Sequence, residues 1–408
     1  MAKGKTGTMG FLTVLIGCAL AAGTLFVARA RGPRPMQQEP RLTAHEWGTM
    51  TTVAGEDGKA ITWQPLLAHS DLPGFVYGMG GHLTVGGRDS FAVKRFCSGT
   101  VRMETPVIYL YSDVETTASV KVEFPRGNIT EWYPGSTGSM SFSGLEWQNL
   151  RVTPEGPADL PFDDKMKDSR YYAARATDSN VLRVASRTGE EVEKFLFYRG
   201  VGSCPLPATI KMEANEVRVR IKNAEKGARV LLFENRSGRS AYQIQDLVDG
   251  KAVFDRNTPG ETIDSLRQDL ESMLIGAGLY EKEARAMLET WGDSWFEEGL
   301  RVFYLLPRSA TDSIIPITIK PAPAELVRVM VCRAELITPE LEAAVRQEIA
   351  TAADFGQVRA ALLHKYGRFL EPILNRIKET SADSETNQRI DELIKAALEE
   401  LRNPTSGG

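Results

Sequence analysis

Residues 217–222 read Val-Arg-Val-Arg-Ile-Lys, an apolar side chain and a cation in strict alternation. Successive side chains of an extended chain point to opposite faces, so this segment can bury one face only if it leaves the other in water. The neighbouring stretches 209–213, 228–235, 241–247 and 251–254 share its richness in branched and aromatic residues. Together they predict an antiparallel meander with one packed and one wet face. Upstream, 42–53 and 60–66 flank Gly55-Glu56-Asp57-Gly58, a hairpin signal. Further strands are expected at 101–112, where Pro106 marks an edge or a bulge, at 118–124 and at 195–199. The glycine-rich stretch 72–87 reads as a long loop.

Helical spacing first appears at 262–276, through Ile263, Leu266, Leu270 and Leu274, and a second helix is expected near 281–291. Strand patterns return at 300–306, 314–320 and 326–336. From Thr338, a capping residue followed by Pro339 at the first turn, the chain is helical again. One apolar stripe runs through Leu362, Tyr366, Phe369, Ile373 and Ile377, and another through Ile390, Leu393, Ile394, Ala397 and Leu401. The predicted fold class is β-rich α+β, an antiparallel sandwich-like body with a helical insert and a C-terminal helical appendage. The expected divisions are a leader or anchor at 1–30, a linker at 31–41 and a β-rich domain at 42–260. Residues 261–336 would supply the insert and the returning strands, 337–403 the C-terminal helices and 404–408 a disordered tail. A core of this size needs neither disulfide nor metal for stability.

The N-terminus constrains location. Residues 1–10 are polar with two lysines, 11–27 are apolar apart from Thr13 and Thr24, and Arg29, Arg31 and Arg34 end the run. This is the layout of a signal peptide, with Ala28-Arg29-Ala30 as a small-x-small cleavage site. The run also approaches the roughly 20 residues of a spanning helix, so a retained anchor fits as well. Leu15-Ile16-Gly17-Cys18 matches a lipoprotein processing box, but 19–28 stay apolar where a polar tether should begin. Arginines crowd the C-terminal flank, against the usual preference of positive charge for the cytoplasm. Long domains translocate largely regardless of flanking charge, so the expectation is an extracytoplasmic protein, membrane-anchored or secreted.

Formal net charge is −4, and removal of residues 1–30, with Lys3, Lys5 and Arg29, leaves −7. An acidic body lacks the basic field of a nucleic-acid binder. The sequence contains no Gly-x-x-x-x-Gly-Lys-Ser/Thr loop, dinucleotide fingerprint or Gly-x-Ser-x-Gly elbow, which argues against nucleotide and ordinary esterase chemistry. Cys97, Cys204 and Cys332 remain beyond the leader. Their odd number and spacing favour three buried thiols over a Cys97–Cys204 bridge.

His45-Glu46-Trp47-Gly48-Thr49 is followed by Met103-Glu104-Thr105-Pro106-Val107-Ile108-Tyr109. Then come Tyr171-Tyr172-Ala173-Ala174-Arg175, Phe197-Tyr198-Arg199-Gly200, and Ser294-Trp295-Phe296-Glu297 through Tyr304-Leu305-Leu306-Pro307-Arg308. In this order the chain resembles a family of uncharacterised exported bacterial proteins over most of 42–340. The resemblance implies an extracytoplasmic location and carries no catalytic residue.

Candidate chemistry falls into three groups. His45, His69 and His82 lie within 38 positions, and with Glu104 they offer imidazole and carboxylate ligands for a divalent metal. His45 and Glu46 are strand neighbours, which should face them apart. Trp47, with Trp63, Trp132 and Trp147, supplies rings that could stack on a carbohydrate or fill a core. Arg175, Arg199 and Arg308 could hold an anionic ligand or close internal ion pairs. Two functions follow as expectations: a membrane-associated binding or envelope-structural role, or an extracytoplasmic hydrolase of envelope or environmental polymers working with a divalent ion.

Overall fold

The computed structural model describes residues 41–64, 72–79, 97–154, 159–186, 189–236, 238–258, 260–352 and 354–402. The alternating segment is strand β12 (Glu216–Ile221), flanked by β11 (Ala208–Glu213) and β15 (Lys251–Asp255) in an antiparallel three-stranded sheet. Val217, Val219 and Ile221 are buried while Arg218 and Arg220 are exposed, the split that the alternation requires.

The largest sheet has nine strands. Their spatial order is β14 (Arg239–Asp246), β13 (Arg229–Arg236), β16 (Gly299–Leu305), β18 (Glu325–Ile337), β1 (Thr43–Gly55), β3 (Val101–Tyr111), β10 (Leu196–Gly202), β5 (Gly127–Tyr133) and β2 (Tyr77–Gly78). A further sheet runs β17 (Ile317–Lys320), β4 (Thr116–Glu123), β7 (Gly144–Thr153), β8 (Val181–Ser186) and β9 (Gly189–Glu193), with β6 (Met140–Ser141) also on β7. Pairing is antiparallel except between β1 and β18, which run parallel over thirteen residues. Both are central strands covered on two faces, and β18 accordingly carries the near-continuous apolar run Val329-Met330-Val331-Cys332.

One face of the nine-stranded sheet packs Met50, Met103, Ile108 and Met330 against both smaller sheets, through Val122, Trp147 and Leu150 of one and Val217 and Phe254 of the other. The opposite face meets helices α1 (Ile263–Gly276) and α2 (Glu281–Trp295) and the short 3-10 turn Arg170–Arg175. Leu266, Leu270 and Leu274 of α1 form the stripe expected from their spacing, and they share a core with Trp47, Phe197 and Phe303. A short helix, α3 (Arg308–Ile314), lies between β16 and β17.

Beyond β18 the chain forms α4 (Pro339–Thr351), α5 (Phe355–Tyr366), α6 (Leu370–Thr380) and α7 (Ser384–Arg402). Thr338 caps α4, its hydroxyl oxygen accepting the Leu341 N–H at 3.1 Å. These helices share a third core with Val53, Ile61, Trp63 and Ile337. The fold is therefore β-rich α+β, a sandwich with one helical layer on its outer face and a helical unit at its end.

Two local expectations differ from the structure. Residues 60–63 make only single bridges, Ala54 to Ala60 and Trp63 to Gly99, instead of a hairpin strand. β18 takes one edge of β1 along its whole length and β3 takes the other as far as Thr51, so only residues 52–55 are open to a hairpin partner. The five-strand meander divides, because β13 and β14 join the large sheet. Val230, Leu231, Leu232 and Phe233 are apolar on both sides of β13, which suits a doubly covered sheet and not a half-wet one. Of the two settings expected for Pro106, an edge or a bulge, the structure has the bulge: it sits in central strand β3, where the register slips between Trp47 and Thr49 and Thr105 takes φ 49°. The proposed leader, the linker before residue 41 and the tail lie outside the described residues, as does the loop over 80–87. Among the described residues no helix is long and apolar enough to cross a membrane.

Candidate functional site

Strand β1 sends His45 and Glu46 to opposite faces. On the helical side, Nδ1 of His45 lies 2.7 Å from Oε2 of Glu283, the third residue of α2. The Tyr111 hydroxyl donates to the other oxygen of Glu283 at 2.6 Å, and the Tyr280 N–H donates to Oε2 at 2.8 Å. The Tyr280 ring lies 4.3 Å from the imidazole, and Nε2 of His45 is buried without a partner. The cluster fastens the start of α2 to the sheet.

On the sandwich side, Nε of Arg328 donates to Glu46 at 2.6 Å, and the Tyr198 hydroxyl donates to the other carboxylate oxygen. Arg328 also reaches Asp312 at 2.8 Å and the Ile315 carbonyl at 2.7 Å. Glu46 and Arg328 are both fully buried side chains. Burial works against the Arg328 charge, but Glu46, Tyr198 and Asp312 together outweigh it and hold the guanidinium above its ordinary pKa.

Glu104 stands elsewhere. It accepts the Thr51 hydroxyl at 2.7 Å and pairs with Arg102 at 3.1 Å and with Arg368, which follows α5. Burial alone would raise its pKa, yet Arg368, Arg102 and Thr51 hold the carboxyl below its usual value. His45 lies opposite Tyr109 and Glu104 opposite Thr49, so the two candidate ligands sit four strand positions apart, about 13 Å at the usual rise. The structure does not bring them together. His69 and His82 lie outside the described residues, among which no three His, Cys, Asp or Glu side chains are placed to hold a metal.

Trp47 is wholly buried in the core beneath the helices, and Trp63, Trp132 and Trp147 are buried as well. These rings fill cores and offer no exposed stacking face. Arg175 grips Glu193 through Nε at 3.0 Å and Nη2 at 2.6 Å, donates to the Pro161 carbonyl at 2.8 Å, and stacks on Tyr172. Arg199 is buried in β10 with its guanidinium 5.9 Å from the Phe197 ring centroid. Arg308 bonds Asp312 at 2.8 Å and the Leu326 carbonyl at 2.8 Å. The three arginines thus have separate partners. Cys97, Cys204 and Cys332 are buried, and burial pushes the Cys204 thiol up to about 11 and Cys332 up to about 12.

Among the described residues three clefts offer space for a ligand, one of them, about 330 Å³, between the end of β1, the 203–206 segment and Tyr304. Of the other two, the first, about 250 Å³, lies between the end of the large sheet and the C-terminal helices, over a floor that includes Ile337, Leu341 and Phe369. Its carboxylates are engaged: Glu297 with Arg333 at 2.6 Å, Glu335 with Arg301 at 2.8 Å, Glu234 with Arg256 at 2.9 Å and Glu340 with Arg256 at 3.6 Å. Glu298 lies 3.9 Å from Lys365. The second cleft, about 450 Å³, is bounded by the 224–228 loop, the C-terminal end of α1, the β16–α3 corner and the start of β18. Ile221, Leu247, Met273 and Leu306 give it an apolar floor, and Lys226, Arg229, Arg308 and Arg328 line it with Glu225. Lys226 and Arg229 form no ion pair or side-chain hydrogen bond among the described residues. Sequence reasoning singled out Arg308 but missed Lys226, whose loop carries neither periodicity nor motif, and Arg229, the first residue of β13.

No family model matches the chain, and no curated protein is similar to it. Among solved structures, the chain is similar to the Fcho1 Mu homology domain of Danio rerio with bound Eps15 peptide. The identity is 8%, the match covers 74% of this chain and 98% of that one, and the TM-score is 0.29. A likeness at that level carries no argument about fold or function.

Proposed function

We propose that the chain is an extracytoplasmic, membrane-associated binding protein, held at the membrane or exported through its first thirty residues. The second cleft carries this reading. Its volume of about 450 Å³ falls within the range of small-ligand sites, and an apolar floor with a few convergent polar groups is their usual composition. Its walls come from the ends of four strands (β12, β13, β16 and β18), a helix end and a loop, so the concavity is preformed. Cations, one carboxylate and the Ser272 hydroxyl line it, a set suited to holding a ligand in place. The apolar run at 11–27 and the resemblance to exported proteins support the location.

The test has two arms on the full-length chain. A reporter enzyme fused after Gly408 that works only outside the cytoplasm is expected to be active, and activity confined to a cytosolic species would overturn the location. Gly276 lines the second cleft, and a Cβ added there meets nothing within 4 Å. Gly276→Leu should therefore fill the cleft and remove small-ligand binding at an unchanged melting temperature. Binding that survives the substitution would overturn the assignment of the cleft.

A further inference from the structure

Charge distinguishes the second cleft from the first. Arg308, Asp312, Arg328 and Glu46 form a chain in which two guanidiniums meet two carboxylates, and this chain is internally neutral. Glu225 already accepts the Arg308 backbone N–H at 3.1 Å. The C-terminal end of α1, which would bring partial negative charge to the wall, is capped. The N–H groups of Ala277, Gly278 and Leu279 bond the carbonyls of Met273, Ile275 and Leu274 at 3.0, 2.9 and 3.2 Å. Arg229 stands opposite Asp246 in the β13–β14 register, yet no ion pair forms between them. Lys226 and Arg229 are left as two cations at the mouth of an apolar-floored cleft, on a protein whose body is net acidic.

We infer that this cleft holds a small organic anion, with an oxyanion head on Lys226 and Arg229 and an apolar body along Leu247, Met273 and Leu306. The inference rests on the binding reading above and adds the class of ligand. The planar fork of arginine matches carboxylate and phosphate oxygens in pairs, and a lysine ammonium adds a mobile point charge beside it. The apolar floor explains why a bare inorganic anion would leave most of the cleft unused. The shared chemistry is a carboxylate or a phosphate monoester on a short aliphatic chain.

Titration calorimetry of the full-length protein with hexanoate, hexyl phosphate, hexylammonium and hexanol tests this. Both anions, or one of them, should bind the wild type, and the stronger identifies the head group. The Lys226→Ala/Arg229→Ala variant should bind that anion at least ten-fold more weakly, and Gly276→Leu should not bind it. These positions border open space, so unchanged unliganded melting curves verify the fold of each variant. If hexylammonium or hexanol binds as tightly as the anions and the double variant is unaffected, the anion inference falls while the binding reading stands. If none of the four binds at millimolar concentration, or if Gly276→Leu binds the anion as the wild type does, both fall.

Discussion

Replacing Glu46 with Ala tests how the buried ionic framework works. The substitution removes the acceptor of both Arg328 Nε and the Tyr198 hydroxyl at a site sealed from solvent. Arg328 keeps Asp312, whose side chain is 46% exposed, and the Ile315 carbonyl, so a buried guanidinium loses its one buried counter-charge. Breaking such a pair from one side costs about 3–5 kcal/mol. For 408 residues, an unfolding entropy of about 2.1 cal/mol/K per residue turns that loss into a fall in melting midpoint of about 4–6 °C. Removing the whole group should behave differently. Glu46→Leu with Arg328→Met and Tyr198→Phe strands no charge or hydroxyl among the three positions, and Asp312 retains Arg308. The triple variant is expected within about 2 kcal/mol of the wild type, since apolar replacement of buried ion pairs is often neutral or better. Thermal and urea unfolding followed by circular dichroism measure both. A triple variant as unstable as Glu46→Ala, or a single variant that loses less than about 1 kcal/mol, would refute the reasoning.

Three other outcomes are expected. Glu104 has a depressed pKa in the fold, so its stabilisation is complete above the unfolded carboxyl value of 4.5 and is lost as pH falls below it. Urea midpoints from pH 6 to pH 3 should therefore fall more steeply for the wild type than for Glu104→Gln, and equal slopes would count against the assignment. Gly48→Ala would place a Cβ 2.9 Å from the Pro106 Cα and 3.1 Å from the Met330 sulfur, a clash that should destabilise by about 1–3 kcal/mol in the same unfolding assays. A thiol reagent at pH 8 should leave Cys97, Cys204 and Cys332 untouched in the fold and label all three in denaturant. Rapid labelling of Cys204 or Cys332 in the folded protein would show that its burial is wrong.

Local periodicity was legible wherever it has one cause. The alternation at 217–222 and the stripe of Leu266, Leu270 and Leu274 each reflect a single buried face, and both appear where that face requires. Sheet membership was not legible, because it depends on which edges remain open after distant strands have paired. Residues 60–66 carry a hairpin signal, but β3 occupies the second edge of β1 as far as Thr51 and leaves only the last residues of the strand to a partner. The stripe through Tyr366, Phe369 and Ile373 reads as one helix, whereas Gly367 takes φ 48° and divides α5 from α6. Of the candidate site, Arg308 stood inside a recognisable motif. Lys226 and Arg229 acquire meaning only when β13 leaves the meander and carries their loop to the wall of a cleft.

The motif residues share a role that explains why they drew notice. Glu46 and Arg328 are direct partners in the β1–β18 register, and Arg301 and Glu335 are direct partners in β16–β18. A slip of one residue in either ladder would turn one member of each pair to the opposite face. The other face would then bury an unmatched charge, which costs far more than an apolar mismatch. β18 is apolar on both sides through Val329–Cys332, and both faces of β1 are buried with threonines among its apolar residues, so hydrophobic pattern alone specifies their register weakly. The buried Glu46–Arg328 pair supplies what the apolar pattern of the β1–β18 ladder lacks, and Arg301–Glu335 does the same between β16 and β18. His45, tied to Glu283, sets the helical layer on that same register from the other face. On this argument the His-Glu-Trp-Gly-Thr segment is framework, and ligand chemistry belongs to the unpatterned loop beside the cleft. The triple variant separates register from stability: loss of the Glu46–Arg328 pair should cost little free energy while broadening the amide spectrum of β1 and β18 if alternative registers become populated.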